Sequence, residues 1–540
     1  MGDANSTFAN PKTSRGGLTN LFFQRTMSKD LPCITKNSST GPRTWDGAEL
    51  VTPSLEGHAL YYRTNHDIDR TRHPTLMTLR SHPSFDLPTS AQARGELAYD
   101  AIICKQRNCP DHPSAARPQP HINLLPPEIL GEIFDLCTSS DFWPSPAFMQ
   151  CPPISLSHVC SYWRTVATSV SSLWSRIAVC TYRRHLTPAW LPLWLERSQN
   201  RPLSLLLRAF ELAPLLFSHF DRWNTLSVVL DDNRDAREFL ALPLTNAPAL
   251  LELSITARKL CNIDILDEII TFAHSLVSVR RLSWRSECAP NTFSDFSFPR
   301  LTHLDLNCPI PMNDFLRILS SSPQLVHVVA QNIQSPSTQI VTGVTLPHLV
   351  TLEIKSEKDT YKVLDSLTLP SLRGLKLVSV SGDRGVWYGK SRVLDGLVLR
   401  SSCTLKALEL FDHNISEADL LGYLTLPCLQ SVTKLNIYAW RVRDHVLAPL
   451  ICLNAEGEGV ALFPYLTHLT LNFCSATDGL FADVIASRWA PARRYDDGIL
   501  PAKLDFVCVV FESDRGRSPH GIDITRLETF MNQGLDIRWA

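Results

Sequence analysis

Apolar residues follow a different spacing in each of three successive parts of the chain. From residue 1 to about residue 117 they occur in short clusters, such as Leu21-Phe22-Phe23, without a helical or alternating period. Between residues 121 and 178 they recur every three or four positions, which is typical of amphipathic helices. From residue 180 to 540 a leucine pattern repeats. We therefore predict a tail, a small helical module and a long repeat region.

The first part, residues 1–117, is predicted to be mostly disordered. It is rich in Ser, Thr, Pro, Asn and Arg. Such a segment cannot bury enough apolar surface to offset backbone ordering, which costs about 1–2 kcal/mol per residue. Near its end lie four residues of metal-binding type. A structural zinc site usually combines two tight ligand pairs, and here only one pair is present, so no metal site is expected. The four residues are Cys104, Cys109, His112 and His121.

The helical module begins with a helix predicted to start around Pro126-Pro127 and to end near Thr138. Proline suits the first helical turn, and Glu128 then lies near the positive end of the helix dipole. The segment that follows, residues 139–153, contains four prolines and cannot be regular. A second helix is predicted from about Ile154 to Ala167, and Leu173-Trp174 closes the module. About 55 residues is marginal for an independent core, so the module is expected to share its apolar surface.

The repeat region contains a recurring nonamer, in which a turn residue and a proline precede x-Leu-x-x-Leu-x-Leu. Its end alternates with period two, which predicts a short strand with leucines facing inward. The proline ends any preceding helix. Weaker copies occur at 405–410 and 432–437. The six full copies are 247–255, 298–306, 322–330, 346–354, 369–377 and 463–471.

Between these predicted strands lie helical patterns, at 313–319 and 416–421. Residues 394–399 could form a strand or a helix, and we favour a helix; residues 534–539 are predicted to form a closing strand. Because no single strand–helix unit can bury its own face, neighbouring units have to stack. The predicted fold class is an α/β solenoid of short parallel strands plus helices, resembling leucine-rich repeats. The ladder Asn or Cys of such repeats is present only as Cys474, so an ordered asparagine ladder is not expected.

Three motifs of the helical module follow one another in a specific order. They are Leu125-Pro126-x-Glu128-Ile129-Leu130-x-x-Ile133-Phe134, then Val159-Cys160-x-x-Trp163-Arg164, then Leu173-Trp174. Together they resemble an F-box. The continuation resembles F-box proteins of mushroom-forming fungi, on the residues Trp194-Leu195-Glu196-Arg197-Ser198, Arg201-Pro202-Leu203 and Trp223.

The resemblance implies that the module docks a Skp-type adaptor, which links it to a cullin scaffold in a ubiquitin ligase. The repeat region would then bind an unknown target protein, and the chain itself would not be an enzyme. Carried onto this sequence, the adaptor-binding residues are Leu125, Pro126, Ile129, Ile133, Phe134, Val159, Cys160, Trp163 and Trp174.

Leu125 and Pro126 lie at the edge of the module and are favoured as interface residues. Ile133, Phe134, Val159 and Trp174 could equally belong to the internal core. One departure from the family is the Pro-rich insertion at residues 139–153, longer than a compact F-box linker. It keeps an alternative open, a non-catalytic interaction scaffold that acts outside a ubiquitin ligase.

Composition and charge narrow the functional classes. The formal net charge of −1 over 540 residues gives no electrostatic reason to expect nucleic acid or a membrane surface as the partner. The 15 cysteines are odd in number and spread along the chain, which favours reduced thiols and a cytoplasmic and/or nuclear location. No apolar stretch approaches the roughly 20 residues of a membrane span.

Candidate catalytic motifs are weak, and no cofactor is expected. Gly389-Lys390-Ser391 lacks the earlier glycine of a phosphate-binding loop, since Arg384 stands at that position. The acidic pairs Asp231-Asp232 and Asp496-Asp497 are interpreted as solvated loop charges. The thiols at repeat positions are interpreted as packing residues: Cys403, Cys428 and Cys474.

Overall fold

The N-terminal part of the described chain is helical. The computed structural model describes residues 121–138, 152–180, 190–295, 297–334, 343–356, 360–379, 391–452, 462–489, 502–512 and 520–539, and the predicted disordered tail lies outside them. The N-terminal elements are a 3-10 helix at His121–Leu124, α1 at Pro127–Thr138, α2 at Pro152–Ser157, α3 at Ser161–Ser169 and a 3-10 helix at Ser171–Trp174.

The second predicted helix is divided into α2 and α3. The break is caused by Cys160, whose backbone is extended and whose Sγ accepts a hydrogen bond from the backbone N–H of Trp163. Cys160 is therefore the N-cap of α3 rather than a residue inside a continuous helix. The helical spacing of the apolar residues continues from α2 into α3, so the sequence pattern did not predict that the helix is interrupted.

The remainder of the chain is built on parallel strands. The described residues contain β1 (Arg176–Val179), β2 (Leu203–Leu207), β3 (Trp223–Asp232), β4 (Glu252–Leu260), β5 (Arg281–Arg285), β6 (His303–Pro311), β7 (His327–Gln334), β8 (Val344–Thr345), β9 (Thr351–Ser356), β10 (Leu367–Thr368), β11 (Gly374–Ser379), β12 (Ala407–Phe411), β13 (Lys434–Val442), β14 (His468–Cys474), β15 (Phe506–Phe511) and β16 (Asp536–Trp539). Fourteen of them form one sheet in chain order, and β8 pairs separately with β10.

Strand register aligns one apolar residue from every strand of the large sheet. Each strand pairs in parallel with its neighbours, and the aligned side chains are buried. This inward row forms the core beneath the sheet. It consists of Ile177, Leu205, Leu226, Leu253, Leu282, Leu304, Val328, Leu352, Leu375, Leu408, Leu435, Leu469, Val507 and Ile537.

Helices connect successive strands and complete the core. They are α4 (Leu191–Arg197), α5 (Asn233–Leu240), α6 (Ile263–Ser275), α7 (Met312–Ser320), α8 (Thr360–Asp365), α9 (Ser391–Ser401), α10 (Glu417–Leu424), α11 (Asp444–Leu447), α12 (Leu480–Trp489) and α13 (Gly521–Asn532). A 3-10 segment of 13 residues lies at Phe210–Arg222 and is kinked at His219. Short 3-10 helices lie at Leu244–Asn246, Phe293–Asp295, Pro427–Leu429 and Ala448–Leu450. No described helix has both the length and the apolar content needed to cross a membrane.

This architecture is the α/β solenoid of parallel strands that the leucine pattern predicts. The six nonamers end in β4, β6, β7, β9, β11 and β14, and the weaker copies coincide with β12 and β13. The helix favoured at 394–399 is confirmed as part of α9, and the closing strand as β16. Strands β1, β2, β3, β5, β8, β10 and β15 were not predicted.

The N-terminal helices and the sheet share one core. The indole of Trp174 meets that of Trp194 edge to face, with ring centroids 4.9 Å apart, and the guanidinium of Arg197 lies over the Trp174 ring. The first strand begins at Arg176, inside the range 121–178 predicted for the helical module. A boundary at residue 178 would therefore cut through the sheet.

Candidate functional site

Helix α1 has two apolar faces, and the described part of the chain covers only one of them. Leu130 and Phe134, four residues apart, are fully buried. Ile129, Ile133 and Leu136 follow one another at spacings of four and three, so they share a face. Ile129 is 44% exposed and Leu136 is 73% exposed. An aliphatic stripe of this kind on a helix surface is typical of a contact site for another molecule.

The segment before α1 is fastened to α3 by two aromatic side chains. The Tyr162 hydroxyl donates a hydrogen bond to the carbonyl oxygen of Leu125 at 2.6 Å. The Trp163 indole N–H donates to Oδ1 of Asn123 at 2.8 Å. Leu124 and Pro126 remain exposed on this segment. The segment is thus held in place while its apolar side chains stay accessible.

The junction of α2 and α3 adds another exposed aliphatic residue. Val159 lies between the two helices and is 58% exposed. The Arg164 Nε–H donates to the carbonyl oxygen of Ser157 at 3.0 Å, which joins the helices on either side of Val159. We define the apolar helical surface as Leu124, Pro126, Ile129, Ile133, Leu136 and Val159; all are exposed except Ile133, which is half-buried.

The nine residues predicted to contact an adaptor occupy three different environments. Pro126, Ile129 and Val159 are exposed, whereas Leu125, Ile133, Cys160 and Trp163 are half-buried. Phe134 and Trp174 are buried by the chain itself: Phe134 packs against Trp163 with centroids 4.9 Å apart, and the Trp174 indole N–H donates to the carbonyl oxygen of Ala167. These two side chains support the surface from below and are not part of it.

Two members of the apolar helical surface were not among the predicted residues. Leu124 is 69% exposed and Leu136 is 73% exposed. For Leu136 a signal existed, because it continues the helical spacing three positions after Ile133. Leu124 lies before the helix, where periodicity gives no information.

Acidic side chains border the apolar helical surface. Glu128, Glu132 and Asp135 are exposed on α1, and this helix carries no basic residue. Asp135 Oδ1 accepts a hydrogen bond from the Ser172 hydroxyl at 2.6 Å. A partner that covers the aliphatic stripe would therefore meet negative charge at its edge.

A second candidate surface lies on the sheet, opposite to the inward row. We call it the open face; it consists of alternate strand residues, such as Ser227, Ser254, Ser283 and Asp305. Across β3 to β7 these residues line a groove of about 560 Å³. On its rim, the imidazoles of His303 and His327 lie with ring centroids 4.5 Å apart. The burial of His303 lowers its pKa, and the nearby Arg281 and His327 lower it further.

One cluster of metal-ligating residue types occurs in the described chain, and hydrogen bonds account for its geometry. Asp478, His520 and Asp523 lie together near the start of α13. The carboxylate of Asp478 accepts the backbone N–H groups of Ile522 and Asp523. The carboxylate of Asp523 bonds to Nδ1 of His520 and to the backbone N–H of Ala482. We interpret the cluster as a structural link between α12 and α13.

The acidic pair Asp231-Asp232 is not the pair of solvated loop charges that was expected. Both residues end β3. Arg208 and Arg258 form ion pairs with Asp231, and Asp232 is the N-cap of α5. These contacts give both carboxylates structural roles.

The three repeat cysteines are located in or beside the core. Cys403 and Cys474 are buried and Cys428 is half-buried. Burial raises the pKa of Cys474 to about 12, which suits a packing residue better than a nucleophile. Several other candidates lie outside the described residues: Cys104, Cys109, His112, the side chain of His121, the Gly389-Lys390 part of the phosphate-loop-like motif, and Asp496-Asp497.

Comparison with known proteins adds no identification. A scan against protein-family models found no match for this chain, and a search of curated proteins also found none.

Proposed function

We propose that this chain is a substrate-recognition subunit of a Skp-cullin-F-box ubiquitin ligase. The N-terminal helices would act as the F-box and dock a Skp-type adaptor through the apolar helical surface. The open face of the sheet would bind the target protein. The chain performs no bond chemistry in this role, and it would act in the cytoplasm and/or the nucleus.

The observation that carries the proposal is the aliphatic stripe of Ile129, Ile133 and Leu136 on α1, in which Ile129 and Leu136 are exposed and Ile133 is half-buried. The stripe lies on the helix that directly follows the Leu-Pro start of the F-box-like motif. A small helical module that exposes large aliphatic side chains along one helix face is well suited to docking. Acidic residues around the stripe would favour an adaptor with basic residues at the corresponding edge.

The buried members of the motif have a supporting role in this proposal. Phe134 and Trp174 fix the positions of α1 and α3, so their substitution would weaken adaptor binding only by disturbing the fold. Leu125, Pro126, Ile129, Ile133 and Val159 would contact the adaptor directly. Cys160 would orient α3 through its N-cap.

The test is co-purification of the full-length chain with a Skp-type adaptor of a mushroom-forming fungus. Leu136→Glu places a charge in the apolar helical surface and is expected to weaken adaptor binding about 30-fold or more, as is usual for a central interface residue. Leu125→Ala combined with Pro126→Ala should have a similar effect. Leu399→Glu is the matched control, because Leu399 is 68% exposed on α9, far along the chain.

Two results would refute the docking proposal. The first is that the wild-type chain retains no adaptor under gentle washing. The second is that Leu136→Glu and Leu399→Glu bind the adaptor equally well while both melt like the wild type. If the adaptor binds but no cullin joins the complex, the alternative of a scaffold acting outside a ligase is favoured.

A further inference from the structure

The groove on the open face ends at an incompletely bonded carboxylate. Strand register places Ser227, Ser254 and Ser283 side by side on β3, β4 and β5, and Asp305 follows on β6. The small serine side chains leave space above the sheet, whereas the next strand, β7, contributes Val329. The groove is therefore lined by hydroxyl groups, with Asp305 toward one end; Arg176, Glu252 and Arg281 also line it.

The two oxygens of Asp305 differ in their surroundings. Oδ2 accepts a hydrogen bond from the Ser283 hydroxyl at 3.2 Å. Oδ1 is enclosed and has no hydrogen-bond partner. No Lys, Arg or His nitrogen in the described part of the chain forms an ion pair with Asp305. A buried carboxylate oxygen without a donor is costly, because its hydration has been lost and not replaced.

Burial raises the pKa of the Asp305 carboxyl, while the Ser283 hydrogen bond and the charge of Arg285 partly oppose this effect. The other charged residues of the groove do not compensate Asp305. Arg281 lies 3.9 Å from a carboxylate oxygen of Glu252. On the rim, Nδ1 of His303 lies 2.9 Å from the Thr302 hydroxyl, and Nδ1 of His327 lies 2.6 Å from the Thr351 hydroxyl.

We propose that this groove receives an arginine or lysine side chain from a bound protein segment, and that the half-buried Asp305 carboxylate turns about its Cβ–Cγ bond to accept a hydrogen bond from the cationic head group. The aliphatic part of such a side chain would lie along the row of serines, whose hydroxyls accept further N–H donors. The groove is open to solvent along its length, so it can admit a side chain that extends from another protein. This inference deepens the proposed function, since it states what chemistry the target would present.

Recognition and structural roles for Asp305 predict different effects of Asp305→Asn on stability. If the carboxylate were needed for folding, replacing it by an amide would destabilise the chain. A carboxylate kept for recognition is uncompensated in the free protein, so Asp305→Asn should melt at the same temperature as the wild type or higher.

The binding test uses saturation-transfer NMR with the full-length chain and three small probes. They are the N-acetyl methylamides of arginine, lysine and citrulline, where citrulline is the neutral isostere of arginine. We expect arginine or lysine to bind about ten-fold more tightly than citrulline, because a hydrogen bond between charged groups is lost with citrulline. Asp305→Asn should remove this preference. The matched control is Asp314→Asn, which removes an equivalent carboxylate on α7 and should preserve it.

The proposal is overturned if the wild type does not prefer a cationic probe over citrulline. It is also overturned if Asp305→Asn retains the preference, or if this variant is clearly less stable than the wild type. Ser254→Trp provides a second route, since it fills the groove while leaving Asp305 in place, and should abolish binding of the cationic probes. None of these measurements involves the adaptor, so they can fail while adaptor docking succeeds, and the reverse.

Discussion

Trp174, the last residue of the N-terminal helical segment, packs edge to face against Trp194 of α4, with ring centroids 4.9 Å apart. Both indoles are almost completely buried. The contact joins the N-terminal helices to the first strand–helix unit of the solenoid. Adaptor docking and target binding are therefore proposed for two surfaces of one continuous core.

The tryptophan contact predicts energetic coupling between the helices and the sheet. Trp174→Leu and Trp194→Leu should each destabilise the chain, and a double-mutant cycle should show a coupling of about 0.5–1.5 kcal/mol, as for other aromatic pairs. Urea unfolding followed by circular dichroism provides the measurement. Additive effects of the two substitutions would mean that the helices unfold separately from the sheet.

Arg488 on α12 predicts a large loss of stability on substitution. Its side chain is fully buried, and its guanidinium donates to the carbonyl oxygens of Leu450, Leu462 and Phe463. Arg488→Met leaves these acceptors without donors and should cost about 3–5 kcal/mol in the free energy of unfolding. Arg488→Lys should recover only part of this loss, because an ammonium group cannot reproduce the planar set of donors.

The matched control for Arg488 is Arg526→Met. Arg526 also bonds to a backbone carbonyl and to Asp483, but its side chain is 37% exposed, whereas that of Arg488 is fully buried. Its loss should cost about 1 kcal/mol or less. Equal melting temperatures for the two methionine variants would contradict the role assigned to Arg488.

Asp444 predicts a pH-dependent contribution to stability. Its carboxylate accepts hydrogen bonds from the hydroxyl and the backbone N–H of Thr477, and these bonds lower the pKa of Asp444. The pKa of an aspartate in an unfolded chain is near 3.9. When folding lowers this pKa, the ionised carboxylate stabilises the fold at every pH above about 3.9. The stabilisation is lost as the pH falls through the lower pKa of the folded state. Because Asp444 is only half-buried, Asp444→Asn should cost only about 1 kcal/mol at pH 7.

The difference in melting temperature between wild type and Asp444→Asn should shrink as the pH is lowered from 7 to 3. Glu528→Gln, at an exposed position on α13, serves as the control and should show a small difference at every pH. A wild-type advantage over Asp444→Asn that stays constant down to pH 3 would argue against the hydrogen-bonded carboxylate as its source.

Much of the solenoid could be predicted because its strands carry a local signal. A proline followed by leucines at fixed spacing identified β6, β7, β9 and β11 directly. The signal fails for β5, whose sequence RLSWR begins and ends with arginine. It also fails for β15, whose run FVCVVF lacks the leucine pattern. Both strands are specified mainly by their neighbours in the sheet, with which they align in register.

The candidate sites depend on contacts that no local pattern contains. Ile129 and Phe134 belong to the same motif, yet one is exposed and the other buried, because α3 and Trp163 cover only one face of α1. Asp305 is one of many polar residues at outward strand positions. Its neighbour on β5 is Ser283, which donates to one carboxylate oxygen, and its neighbour on β7 is Val329, which has no donor to offer. The other carboxylate oxygen therefore has no hydrogen-bond partner.

Because the strands of the large sheet follow one another in chain order, the distance between two of them can be calculated from the number of strands that separate them. Parallel neighbours stand about 4.8 Å apart, so β6 with Asp305 lies about 24 Å along the sheet from β1, beside the helices. Removing one strand–helix unit between them would shorten this distance by about one strand spacing and leave the units on either side unchanged. The number of strands therefore determines the distance between the proposed target site at Asp305 and the apolar helical surface.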